Sequence, residues 1–143
     1  MPAARRRVLA WAPVLAWAAL IFAFSAQSNL RFVEDPGLDF VVRKAGHMAV
    51  FGILALLAWR AIATTTRLRP AWVWAAVMAI FYAATDELHQ GVVTGRHPAF
   101  SDVAIDTTGV LLSVAVVLVL LRGRQRPMRL GDSRQGCDPT NRG

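Results

Sequence analysis

Cysteine occurs once in this chain, at Cys137, so no internal disulfide can hold the fold together. Lysine also occurs once, at Lys44, although the chain has 16 cationic side chains. No P-loop, glycine-rich dinucleotide motif or nucleophile elbow is present, which removes the familiar nucleotide-binding and α/β-hydrolase readings. No His-Glu-x-x-His pair or other metal-specific spacing occurs. No segment alternates polar and apolar residues as a half-buried strand would, and an open sheet could not satisfy its backbone in lipid. Acids are scarce as well, nine against the 16 cations.

What the chain does have is apolar sequence in blocks. Val8 to Ser28, Ala45 to Ala63, Ala71 to Thr85 and Val103 to Leu121 stand out. A bilayer core takes roughly 20 mostly apolar residues per helix, about 17 at the short end. Three blocks reach that length directly, and the third does so if Asp86 to Gln90 continue its helix. The expected fold class is all-α, a polytopic bundle of four transmembrane helices. A basic N-terminus (1–7), a four-helix domain (8–121) and a disordered basic tail (122–143) are the expected parts. The first block reads as a retained helix and not a signal peptide. Its apolar run exceeds an h-region, and Trp11 and Trp17 are bulky.

The net charge of +7 is distributed unevenly. Twelve cations flank the first block, lie between the second and third, or follow the fourth. The two remaining loops hold only Arg31, Arg43, Lys44 and Arg96, with seven acids. This is the positive-inside pattern, which predicts cytoplasmic termini and two outward, acid-bearing loops of a plasma-membrane protein. Nucleic acid is not an expected partner, because no basic stripe is interleaved with stacking aromatics on a soluble module. Membrane lipids are.

Along the chain, Asp35-Pro36-Gly37 reads as a turn, helix two starts near Arg43 or Lys44, Pro70 suits the first turn of helix three, and Ser101 is a candidate N-cap for helix four. Helical spacing then sorts the ionisable groups into stripes. Asp86, His89 and Gln90 share one face of helix three. Asp102, Asp106 and Gly109 fall at i, i+4 and i+7 of helix four. Lys44 and His47 lie one turn apart on helix two. All three stripes are at outward ends and can converge. A carboxylate at the depth of Asp106 is costly without a partner, and Lys44 or His47 is the natural one. Arg96 could clamp a carboxylate or phosphate, or pair with Asp102. Glu87 by itself reads most simply as a solvated interfacial acid, and His97 as exposed.

Three chemistries fit these groups. His47, His89 and the acids could bind a divalent metal, though without metal-specific spacing. His and Asp could do acid–base or nucleophilic work while Lys44 and Arg96 neutralise a phosphate. The set could also relay protons through the bundle.

Taken together, Lys44-Ala45-Gly46-His47, Thr85-Asp86-Glu87-Leu88-His89-Gln90, Gly95-Arg96, Ser101-Asp102 and Asp106-Thr107-Thr108-Gly109 resemble the VanZ-like family, as does the Ser25-Ala26-Gln27-Ser28 exit from helix one. The resemblance runs from about Trp11 to Leu121. It implies a small bacterial multipass membrane protein. The family's founding member is associated with low-level resistance to the glycopeptide teicoplanin. Where the family often shows Asn, this chain has Asp106, so polarity is kept and charge is not.

The expectation is therefore an inner-membrane protein with an outward polar site for an anionic group on an envelope lipid or peptidoglycan. His89, Asp86, Asp102 and His47 are the candidates for chemistry. Lys44, Arg96, Gln90, Asp106 and Glu87 are the candidates for binding. A small proton-coupled carrier and a non-catalytic scaffold are the alternatives. No particular cofactor and no oligomeric state follow from the residues.

Overall fold

A computed structural model describes residues 2–27, 32–92 and 100–124. These form four helices: α1 (Ala3–Ser25), α2 (Pro36–Thr65), α3 (Ala71–Gln90) and α4 (Phe100–Arg124). No strand occurs among the described residues. The basic tail beyond α4 lies outside them.

The helix starts differ from the expected ones, for local reasons. Arg5, Arg6 and Arg7 lie within the first turns of α1 and not ahead of it. Arg6 reaches across to donate to the Thr64 carbonyl at the far end of α2. α2 begins well before Lys44, because the Asp35-Pro36-Gly37 signal is a helix start and not a free turn. The Asp35 carboxylate accepts from the Leu38 N–H at 2.7 Å, and Pro36 takes the first position, where its missing N–H costs nothing. Pro70 precedes α3 as its cap residue. With no Gly or Pro after it until Gly91, α3 carries Asp86 to Gln90 as its last turn. α4 already includes Phe100, so Ser101 is inside the helix, its hydroxyl 3.3 Å from Asp102 Oδ1.

α2 is the centre of the bundle. It packs on α1, α3 and most extensively on α4, whereas α1 and α4 do not meet among the described residues. Its buried face presents Phe51, Leu54, Ala55, Ala58 and Ala61 to Val14 and Ile21 of α1, Ala75, Ala79 and Ala83 of α3, and Val110 and Val114 of α4. So many alanines let the backbones approach closely, which is how helices associate where lipid removes the hydrophobic driving force. One close approach is at Gly109, where a Cβ would lie 2.7 Å from Met48 Cα.

Large apolar side chains point outward instead. Leu15, Phe22, Val77, Phe81, Val116 and Val119 are each about half exposed or more. A soluble monomer does not show such a surface, but a lipid-facing one does. By length and composition α1, α2 and α4 can each cross a membrane.

Candidate functional site

Contacts between the helices fix their relative direction. Trp11 and Trp17 of α1 donate to Thr65 and to the Val50 carbonyl of α2, so these two helices run antiparallel. Tyr82 of α3 donates to the Ala18 carbonyl and Ser25 donates to Asp86, so α1 and α3 run the same way. Lys44 meets Asp102 and His47 faces Asp106, so α2 and α4 do too. This up-down-up-down order gathers the ends of α1 and α3 and the starts of α2 and α4 at one end of the bundle.

All the buried polar or charged side chains among the described residues are at that end: Ser25, Asp39, Asp86, Glu87, Gln90 and Asp106. Burying four carboxylates is costly unless they are paired or used. They fall into three groups.

The first joins α1 to α3. Asp86 Oδ2 accepts from Ser25 Oγ at 2.7 Å and from Gln90 Nε2 at 2.8 Å. The i, i+4 spacing of Asp86 and Gln90 places the amide over the acid. Asp86 Oδ1 is buried with no hydrogen-bond partner. His89, one turn on, stacks on Phe22 with ring centroids 4.3 Å apart, and its buried Nε2 is also without a partner. Glu87 is buried, not solvated.

The second joins α2 to α4. Lys44 Nζ forms an ion pair with Asp102 and lies 5.3 Å over the Phe40 ring. One turn deeper, His47 Nδ1 lies 3.7 Å from Asp106 Oδ2, while Asp106 Oδ1 is buried and unpartnered. Of the two partners the sequence offers Asp106, the helix register assigns His47. Asp102, one of the candidates for chemistry, is paired with Lys44.

The third group lies at the start of α2 and was not singled out from sequence. Asp39 accepts from the Phe32 and Val33 N–H groups, at 2.8 and 3.3 Å. Its Oδ2 lies 3.0 Å from Arg43 Nε, an ion pair in position but not an aligned hydrogen bond. The signal was present as Asp39, Arg43 and His47 at i, i+4 and i+8, but it shows only once α2 is known to start at Pro36.

Arg96 and His97, with Gly95, lie outside the described residues. No group of three or more His, Cys, Asp or Glu among the described residues is placed to hold a metal ion.

Beside this end, α1 and α2 enclose a cleft of about 420 Å³. Trp17, Leu20, Ile21, Phe24, Val42 and Val50 form its apolar walls, and Ser25, Arg43, Gly46 and His47 also line it.

A family model described as VanZ/LLP1 matches residues 9–122, which cover all four helices except their outermost residues. No curated protein and no solved structure matches the chain.

Proposed function

The chain belongs to the VanZ/LLP1 family, and from that premise we propose that it is a multi-pass protein of the bacterial inner membrane whose polar end faces outward and binds, or acts on, an anionic group of an envelope lipid or of peptidoglycan. The observation that carries this reading is the confinement of every described buried polar side chain to one end of an otherwise apolar bundle. Structural ion pairs would account for some of these groups. They do not account for a buried carboxylate oxygen on Asp86, another on Asp106 and an imidazole nitrogen on His89 that have no bonded partner among the described residues. Such atoms in a membrane protein mark a place where a ligand or a proton is expected.

Within this proposal α3 is the fourth span, with Asp86 to Gln90 at the interface. The termini and the loop joining α2 to α3 lie in the cytoplasm, following the positive-inside bias. His89 and Asp86 are the acid–base candidates, and Gln90 and Ser25 fix the Asp86 carboxylate. Lys44, held by Asp102, and Arg96 supply positive charge for the ligand, while Glu87, His47 and Asp106 complete the polar floor. A link to glycopeptide resistance belongs to the same proposal.

Lipid mass spectrometry of the purified protein and of His89→Ala tests it. A ligand carried by the wild type and lost from a folded His89→Ala protein is the expected result, and identical lipid profiles would count against the site. Reporter fusions that placed the loop between α3 and α4 in the cytoplasm would overturn its outward orientation.

One observation favours a second reading, a small proton-coupled carrier. His47 and Asp106 form a titratable pair below the outer end, and Asp106 keeps an unbonded oxygen. A lipid-directed activity that persists in detergent, without any gradient, would speak against that carrier.

A further inference from the structure

The cleft between α1 and α2 has a chemistry of its own, distinct from the acid-rich floor beside it. Its walls are aliphatic and aromatic, its volume is in the ligand-sized range of roughly 300–1,000 Å³, and no carboxylate lines it among the described residues. Leu20, Phe24 and Val42 at its edge are also exposed, so the cleft is continuous with the outer apolar surface of the bundle. Gly46 on its α2 wall has nothing within 4 Å of where a Cβ would stand, so space is left open beside the helix backbone.

Among the described residues, Arg43 brings a full positive charge to this cleft. Asp39, buried and accepting from the Phe32 and Val33 N–H groups, pairs with Arg43 on the Nε side at 3.0 Å. The two terminal guanidinium nitrogens have no bonded partner among the described residues, on a side chain 40% exposed. An ion pair on the Nε side leaves the two terminal nitrogens as a fork, the geometry that fits a phosphate. His47 lines the same cleft one turn deeper and faces Asp106 on its other side. An apolar slot open to the outer apolar surface, with a guanidinium at its lining, is complementary to one kind of molecule.

We propose that the α1–α2 cleft seats a hydrocarbon chain of a phosphate-bearing membrane lipid, with Arg43 binding its phosphate and His47 standing between that lipid and Asp106. The proposal rests on the lipid reading above and deepens it, naming where the tail lies and which group takes the phosphate. It also gives Asp39 a role as the positioning residue for Arg43.

The test is photolabelling of the full chain in vesicles doped with phosphatidylglycerol carrying a diazirine in one chain, compared with vesicles doped with the same diazirine on a diacylglycerol. Labelled peptides are read by mass spectrometry. The expected result is concentrated labelling of Trp17–Ser25 and Val42–Val50 by the phosphatidylglycerol probe, roughly ten-fold above the diacylglycerol probe. Gly46→Trp fills the open space and should abolish that labelling, with Gly46→Leu as a milder filling variant. Arg43→Gln should keep the labelled positions but remove the preference for the phosphate probe, and Arg43→Lys should restore it in part. Labelling spread evenly over the outward faces of all four helices, or unchanged by Gly46→Trp and Gly46→Leu in protein that elutes as wild type, would overturn the proposal.

The two readings fail separately. Even labelling together with a ligand that depends on His89 removes the cleft and keeps the polar-end function. Concentrated, Arg43-dependent labelling with no His89-dependent ligand keeps the cleft and removes that function.

Discussion

His47 on α2 faces Asp106 on α4 with Nδ1 3.7 Å from Oδ2, inside ion-pair reach but too long for a hydrogen bond. The second oxygen of Asp106 has no partner among the described residues although the side chain is only 5% exposed. A pair this loosely made is a poor structural lock. In buried settings an apolar residue of similar volume often holds a fold as well as an imperfect ion pair, or better.

Asp106→Leu should therefore keep the bundle near wild-type stability, with a melting temperature in detergent no more than about 4 °C lower, while abolishing whatever the polar end does. Asp106→Asn, which keeps polarity and drops charge, should fold equally well. Thermal unfolding of both variants beside an activity or ligand readout checks this. A fall of 10 °C or more in Asp106→Leu, matched by no functional effect in Asp106→Asn, would identify a scaffold.

Ser25 and Asp86 give the opposite expectation. Their 2.7 Å bond is buried and is one of two that hold Asp86 Oδ2. A hydrogen bond to a charged group contributes about 1.5–3 kcal/mol, and removing the donor leaves this buried carboxylate with Gln90 alone. Ser25→Ala should destabilise the protein by about 2 kcal/mol. A double-mutant cycle with Asp86→Asn should return a coupling energy of about 1 kcal/mol or more, and additivity would show that the bond does not hold α1 to α3.

Gly109, Gly52 and Gly46 make a graded series. Gly109 meets the Met48 backbone, which cannot step aside, so Gly109→Ala should force α4 off α2 and cost about 1–3 kcal/mol. At Gly52 the nearest obstruction is the Ser113 hydroxyl, with the Gly109 carbonyl at 3.1 Å, so Gly52→Ala should cost less, and Ser113→Ala should relieve part of it. Gly46→Ala meets open space and should be neutral or slightly stabilising, since alanine favours the helix by up to about 1 kcal/mol over glycine. Chemical denaturation of the three variants gives the order directly, and equal costs at Gly109 and Gly46 would contradict the packing described.

The helical layout was readable from sequence because apolar blocks of spanning length are its direct physical cause. The start of α2 was not. Asp, Pro and Gly in a row serve a turn and a helix N-terminus equally well, and only the bond from Leu38 to Asp35 decides between them. That single boundary hid the Asp39–Arg43 pair, leaving Arg43 as a mere topology marker. Within one helix, partners were legible: Asp86 and Gln90 are bonded as their spacing suggests. Between helices they were not, because which acid Lys44 or His47 meets depends on the vertical register of α2 against α4. Gly109 against Met48 sets that register, and no single helix carries the information.

Lys44 and Asp102 test whether the lone lysine is chosen for charge or for chemistry. Each side chain is about a quarter exposed, and Lys44 also lies over Phe40. A pair in that setting falls between exposed pairs, worth up to about 1 kcal/mol, and buried ones, whose disruption costs about 3–5 kcal/mol. Asp102→Lys should destabilise by about 2 kcal/mol, and the exchange Lys44→Asp with Asp102→Lys should recover most of it. Lys44→Arg should keep the fold, because a guanidinium can pair with Asp102 across the same gap. If the ammonium on α2 only joins the two helices, both the exchange and Lys44→Arg retain function. If it contacts a ligand, the exchange restores the melting temperature and not the ligand, since the charge now stands on α4. Measuring both properties on the same three proteins separates the outcomes, and full ligand retention in the exchanged protein would remove Lys44 from the proposed site.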